Sequence, residues 1–481
     1  MPSRRGRVAA LLAGFAVIST PALADDLREA LVLAYNTNPS LQAARAQQRA
    51  VDETVPIAKS AALPSLSGAA SYTELVKQST PTVASPERVF GASASFGLPL
   101  YAGGGIKNSI RAAKTRVEAG QADLRGAETG VFSAVVASYM DVILAEAVVK
   151  LNRSNVGVLE VNLQATQDRF EIGDLTRTDV AQSQARLSLA KGQTRNAEAN
   201  LIAARERYIQ VVGKAPVDLQ APPALPGLPG SVDEAVTIAL DSNPDLIAAR
   251  QRSKAAGFDS DAAGAGRLPR ISVFTGADYT DYLGTNGGPA SAVTRQGFTS
   301  ATAGVRATIP LFQGGLPAAQ KRQAQAREGA TLEQEIAIER EVIASVRAAY
   351  ASWSASSEII ASTQSAVDAA ALSLEGVRAE NTVGNRTILE ILNAEQELLS
   401  AQVQLATAKR NAYVAGFNLL AAMGKAEARD LGLDGGTLYD PDVNYDRVRG
   451  QFWDWATDPD PRALGTRTVD TRPQDGSVTD Q

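Results

Sequence analysis

The chain has 481 residues, a formal net charge of −5, and neither cysteine nor histidine. Those two zeros exclude a disulfide framework, a thiolate nucleophile, a Cys/His zinc site and a histidine general base. The acidic balance argues against nucleic acid as a partner, because phosphate binding needs a basic field, and aromatic residues at 5% are too few for several cores built on large side chains.

The N-terminus reads as a targeting segment. Arg4, Arg5 and Arg7 precede an apolar stretch over residues 8–18, and Pro21-Ala22-Leu23-Ala24 supplies a small-x-small ending. This predicts a secretory signal at residues 1–24, cleaved after Ala24. The apolar stretch is too short to span a bilayer. Downstream, no run long and apolar enough for a spanning helix stands out. The mature chain is therefore expected in the periplasm, outside the cell, or in an outer membrane as a β-barrel.

Beyond the signal, the chain is one unit written twice. Asn38-Pro39 and Asn243-Pro244 stand 205 residues apart, and so do their flanking Glu-Ala and Ala-Ala-Arg segments. Leu98-Pro99-Leu100-Tyr101 and Ile309-Pro310-Leu311-Phe312 stand 211 apart. The same 211 relates Tyr139 to Tyr350, Gly173 to Gly384 and Gly213-Lys214-Ala215 to Gly424-Lys425-Ala426. An offset held over more than a hundred residues signals duplication. The predicted division is a first repeat over 25–230, a second over 231–424, a C-terminal segment over 425–458, and a polar, Pro-rich tail over 459–481 expected to be disordered.

Each repeat predicts the same elements in the same order. A short helix opens it (27–36, 232–241), and a second comes after it (39–63, 244–268). Two strands come next. Phe90, Ala92, Ala94, Phe96, Leu98 and Leu100 alternate with Gly91, Ser93, Ser95 and Gly97. In the second repeat Ala301, Ala303, Val305, Ala307, Ile309 and Leu311 alternate with Ser300, Thr302, Gly304, Arg306 and Thr308. Their upstream partners, 66–75 and 271–282, alternate more weakly. An apolar face against a small polar face suits a membrane barrel with a wet lumen. It also suits a half-buried strand of a soluble sandwich. If the strands span a membrane, four cannot close a barrel, and an open edge cannot sit in lipid. Several chains would then have to share one barrel.

Each strand pair leads into a very long helix, over 104–171 and 316–383, about 100 Å if continuous. Val135, Val142, Val149, Val156, Leu163 and Phe170 recur every seven residues, as do Val346, Trp353, Ile360, Val367 and Leu374. Returning helices, 175–212 and 387–423, pair a large residue with a small one: Leu187/Ala190, Thr194/Ala197, Leu201/Ala204, then Ile391/Ala394, Leu398/Ala401, Leu405/Ala408. That seam permits close helix approach. In each repeat the second and returning helices together are nearly as long as the long helix. Stacked end to end, they would form a sheath of uniform length. A plain coiled-coil stalk shows the same heptads. Acidic residues sit at the spacing of solvated faces, so no catalytic, cofactor-binding or metal-binding constellation is predicted.

From the Asn-Pro helix entries, the Leu-Pro-Leu-Tyr and Ile-Pro-Leu-Phe strand exits and two turns, the chain resembles the TolC-type outer-membrane channel-tunnels over nearly its whole mature length. The turns are Ile172-Gly173-Asp174-Leu175-Thr176-Arg177-Thr178-Asp179-Val180 and Val383-Gly384-Asn385-Arg386-Thr387-Ile388-Leu389-Glu390. The resemblance implies a mainly α fold with a small membrane β-barrel. Three chains would build a 12-stranded outer-membrane barrel and a 12-helix periplasmic tunnel. It implies a homotrimer in outer-membrane lipid, working with a periplasmic adaptor and an inner-membrane ABC exporter or efflux pump. It places a gate at the turns of Gly173 and Gly384. Asp179 matches a tip aspartate and Arg386 its partner arginine. Glu390 matches an acid lining the aperture. Asn393 stands where a second such acid occurs, and Asn381 where a tip tyrosine occurs. Leu438-Tyr439-Asp440-Pro441, Asn444-Tyr445 and Trp453-Asp454-Trp455 resemble the end of the type I secretion members. The expected function is a passive duct of a type I secretion system. A drug or metal efflux duct is the alternative, and a poreless periplasmic coiled-coil scaffold the second.

Overall fold

A computed structural model describes residues 26–77, 86–287, 290–433 and 438–478. The signal segment at 1–24 lies outside the described residues. The first repeat runs α1 (Leu27–Thr37), α2 (Pro39–Asp52), α3 (Thr54–Ser60), β1 (Ser65–Glu74), β2 (Arg88–Ala102), α4 (Gly105–Glu171), α5 (Arg177–Val212). The second runs α6 (Val232–Ser242), α7 (Pro244–Gly264), β3 (Arg270–Asp281), β4 (Gly297–Thr308), α8 (Leu316–Thr382), α9 (Ile388–Ala422), with α10 (Pro441–Val448) after it.

The Asn-Pro motif explains how short helices stack. Asn38 Oδ1 accepts from the backbone N–H groups of Ser40 and Leu41, capping α2, while its Nδ2 donates to the carbonyl of Val211 at 2.8 Å. Asn243 caps α7 in the same way and donates to the Ala422 carbonyl at 2.9 Å. One buried side chain thus satisfies the open donors of one helix and an open carbonyl of another. Proline at N1 forfeits no hydrogen bond there. The expected column of two short helices beside one long helix is formed in both repeats.

The first such column has a break that the sequence reading did not expect. The predicted helix over 39–63 divides at Glu53 into α2 and α3. Pro56 has no N–H to offer the Asp52 carbonyl, so the α-helical ladder is interrupted there. In the second repeat the corresponding residue is Asp261, and α7 runs on to Gly264.

The four strands form one antiparallel sheet in the order β1-β2-β3-β4. Its register sets Gly68, Ala94, Ala277 and Ala301 in one row and Leu66, Phe96, Thr275 and Ala303 in the next. Ser67, Ser95, Gly276 and Thr302 share the opposite face. The apolar sets of the two repeats therefore lie on the same side. β4 ends at Thr308, so Ile309 and Leu311, expected on the strand, lie beyond it, ahead of and after Pro310. No helix packs on the sheet among the described residues. Leu66 is 78% and Val305 68% exposed on the apolar face. A soluble sandwich would have covered that face.

α4 lies between two columns. It packs on α2, α3 and α5 of its own repeat and on α7 and α9 of the other. Among the described residues α8 packs chiefly on α6, α7 and α9 of its own repeat. Accordingly α4 buries residues along most of its length, whereas α8 buries Val342, Val346, Ala370 and Leu374. One 18-residue window of α4 has a mean hydropathy of 1.7, apolar enough by length and composition to cross a membrane, although no such run stood out in the sequence. Much of that character has another cause, since Phe132, Val135, Tyr139 and Val142 enter the main hydrophobic cluster. Residues 459–478 form no helix or strand but make hydrogen bonds to the helices. Arg205 donates to the Asp475 carbonyl, Arg153 to the Gly476 carbonyl, and Thr466 N–H to the Thr37 carbonyl. The polar tail finds its partners along α4, α5 and α1.

Candidate functional site: the helical tips

The ends of the α4–α5 and α8–α9 hairpins carry every residue for which the resemblance implied a gating role. Each long helix ends in a glycine with φ of +81°, Gly173 and Gly384. That left-handed backbone is open to glycine at no steric cost and closes the helix C-terminus. The chain then turns and re-enters a helix through a threonine.

Both re-entries are capping boxes. Asp179 Oδ2 accepts from the Thr176 N–H at 2.9 Å and its hydroxyl at 2.7 Å, and Thr176 Oγ1 accepts from the Asp179 N–H. Glu390 Oε2 accepts from the Thr387 N–H at 2.8 Å and its hydroxyl at 3.0 Å. The two acids are equivalent, 211 residues apart, as are the two threonines. Hydrogen bonding to the ionised form lowers both pKa values. Thr176 holds Asp179 below its ordinary range. The Thr387 backbone N–H, with Arg386, brings Glu390 down to about 2.

Arg386 does not reach across to the other hairpin in this chain. Its Nε donates to Glu380 and its Nη1 to Glu390, both at 2.6 Å. These two carboxylates hold its pKa above the usual arginine value. The expected pair with Asp179 is therefore not formed within one chain. Asp179, Arg386 and Glu390 each satisfy their charge inside their own hairpin.

Other residues tie the hairpins together. Arg169 bridges to Asp174 at 2.7 Å and donates to Asn381 Oδ1 at 3.4 Å, crossing from α4 to α8. Asn381 in turn donates to the Arg386 carbonyl at 2.6 Å. Arg186 of α5 donates to Asn393 Oδ1 of α9 at 2.8 Å. Asn162 of α4 donates to Glu395 Oε1 of α9 at 2.6 Å, and Arg378 of α8 pairs with the same oxygen at 3.0 Å. Leu392 of α9 packs with Leu159, Leu163, Leu187 and Ala190 of the first hairpin. Asn393 and Asn381, marked in the sequence as departures, are thus both cross-hairpin contacts. Asn162, Arg169, Arg186, Arg378 and Glu395 were missed. Glu395 had a legible signal, an acid between Leu392 and Leu399 on the buried stripe of α9. Arg169, Arg186 and Asn162 had none, because the packing that positions them joins segments about two hundred residues apart, whereas Arg378 meets Glu395 within its own hairpin.

Among the described residues no group of acids is placed to hold a metal ion. The tips offer fixed charge, capped turns and a small set of breakable ties.

Comparison with known proteins agrees with this geometry. The family described as outer membrane efflux protein matches residues 30–214 and 235–425, one segment per repeat. The chain is 33% identical over 456 residues to the outer membrane efflux protein BepC of Brucella suis, covering 94% of this chain and 97% of that protein. It is 26% identical over 426 residues to the outer membrane protein TolC of Vibrio cholerae, covering 87% and 95%. It is 29% identical over 309 residues to the alkaline protease secretion protein AprF of Pseudomonas aeruginosa, covering 62% of each. The crystal structure of the outer membrane protein VceC of Vibrio cholerae superposes with a TM-score of 0.70 at 20% identity, over 83% of this chain and 96% of that one.

Proposed function

The chain belongs to the outer membrane efflux protein family, and from that premise we propose that it is the outer-membrane export duct of a tripartite type I secretion system. It conducts a protein substrate passively from an inner-membrane ABC exporter and a periplasmic adaptor to the exterior. The observation that carries the duct is the bare four-stranded sheet. Its apolar face needs lipid, its other face is small and polar, and its edges β1 and β4 need partners. Three copies supply 12 strands and close the barrel. The uncovered flank of α8 would meet the α2–α5 column of the next copy, as α4 meets α7 and α9 here. A scaffold without a pore leaves both faces of the sheet unexplained.

The gate belongs at the tips, with Asp179 and Glu390 fixing the turns, Arg386 neutralising part of the charge at the aperture, and opening by untwisting of one hairpin from the other. The type I reading draws on the C-terminal segment and on the likeness to AprF. In that segment Tyr439 N–H donates to the Tyr35 hydroxyl, Asp440 caps α10, and Asn444 donates to Asp52. Efflux of small molecules is the second reading, favoured by the longer match to BepC. The test is deletion of the gene followed by two assays. Loss of one secreted protein with unchanged drug sensitivity supports the first reading. Drug sensitivity with intact secretion replaces it by the second. A protein recovered soluble and monomeric from periplasmic extract removes both.

A further inference from the structure

Among the cross-hairpin ties, one is unlike the rest. Glu395 is 5% exposed, yet it carries a carboxylate. One turn before it is Leu392 and one turn after it is Leu399, at 2% and 7% exposure. Leucine would suit the position, and burying a carboxylate there costs desolvation free energy that a single ion pair does not reliably return. The carboxylate is also imperfectly served. Oε1 takes both Asn162 and Arg378, while Oε2 has no hydrogen-bond partner among the described residues. The repeat shows that helix formation does not demand an acid at this place. Its counterpart 211 residues earlier is Gln184, an exposed side chain bonded to Ser188 on its own helix. The carboxylate is particular to the hairpin that faces α4.

We propose that Glu395 is a positioning residue of the gate: its Oε1 anchors α8, through Arg378, and α4, through Asn162, on one point of α9, and so holds the two hairpins in the closed register. This deepens the duct reading and rests on it. Burial makes the tie directional and water-free. Its unpaired second oxygen keeps the closed register from being stabilised beyond reversal, because a buried orphan acceptor opposes burial. Untwisting of the α8–α9 hairpin breaks the Asn162 link first, since Arg378 travels with α9 in the same hairpin.

The test uses full-length trimer in planar bilayers with three variants. Glu395→Leu removes the tie and restores an apolar stripe, so heat stability of the trimer should be unchanged or raised. Its resting conductance should rise roughly tenfold, the scale of one charge-assisted hydrogen bond on a two-state balance. Asn162→Ala should move conductance in the same direction, and the double variant should add nothing to Glu395→Leu, as expected for two ends of one link. Glu395→Gln keeps an oxygen for Asn162 but loses the charge that pairs with Arg378, so its conductance should lie between wild type and Glu395→Leu. A conducting wild type whose Glu395→Leu and Asn162→Ala variants keep wild-type conductance overturns the positioning role and leaves the duct standing. A wild-type protein that forms no pore overturns the duct reading and this inference with it.

Discussion

At the residue scale, the two acids expected to form a latch or an aperture are first of all helix caps. Asp179 and Glu390 each close a box with a threonine three residues earlier, and this fixes where their charge sits. A carboxylate with a depressed pKa contributes its stabilisation fully above the ordinary carboxylate range. The contribution is lost only as pH falls through the lowered value, about 2 for Glu390. The turns should therefore hold at pH 5 as at pH 7. Single-channel conductance and cation preference should match at those two values and begin to change only below about pH 4. A change centred between about pH 6 and 5, above the ordinary carboxylate range, would show that another group sets the aperture. Glu390→Gln should reduce cation preference, measured as reversal potential in a salt gradient, because one charge per chain leaves the aperture. Arg386→Ser should alter conductance less than Glu395→Leu, because both partners of Arg386 are exposed and lie on its own hairpin. The Thr-x-x-acid spacing of both boxes is visible in the sequence, and so is Glu395 as an acid on an apolar stripe, whereas the ties of Arg169 to Asn381, Arg186 to Asn393 and Asn162 to Glu395 are not. Those partners are brought together only by the packing of one repeat on the other.

At the element scale, the sequence was most legible where a rule acts within a few residues. The long helices end within a residue or two of the expected positions because Gly173 and Gly384 stop them and no proline interrupts them. The heptad positions Val135, Val142 and Val149 are fully buried, while Phe170, seven residues from Leu163, is 43% exposed beside the turn. Periodicity names the face of a helix but not how far its cover extends. The break between α2 and α3 was legible too, in Pro56, and a continuous reading overlooked the ladder bond it removes. The junction asparagines allow a graded test. Asn38→Ala and Asn243→Ala each lose an N-cap and a buried hydrogen bond, together about 2 kcal/mol per site. Asn243→Ser retains a cap acceptor and gives up the donor to the Ala422 carbonyl, so its loss should be smaller. Denaturant midpoints of the detergent-solubilised protein would rank the three. Equal effects of Asn243→Ala and Asn243→Ser would mean that the link to α9 outweighs the cap.

At the scale of the whole molecule, the duplication and the bare sheet together set the assembly. One chain provides two half-sheets that pair through β2 and β3, and two outer edges, β1 and β4, unpaired among the described residues. The sequence showed alternation but could not choose between lipid and a second sheet as its cover. The choice rests on the absence of any packed element over Leu66 and Val305 among the described residues. Two neighbouring substitutions separate the faces. Ala94 sits at mid-strand in the apolar row with Gly68, Ala277 and Ala301, and Ser93 sits beside it on the polar face opposite Ala69 and Asp278. An arginine on the lipid side at mid-depth costs about 2–4 kcal/mol per chain, and threefold assembly multiplies that cost. Ala94→Arg should therefore sharply reduce the trimer recovered from outer-membrane fractions. Ser93→Arg should insert normally and instead shift the pore toward anions, because its charge meets water in the lumen. If Ser93→Arg blocks insertion and Ala94→Arg does not, the sheet faces lipid with its other side. If both insert equally well, the strands do not span the membrane, and the protein reaches the outer membrane by some other surface.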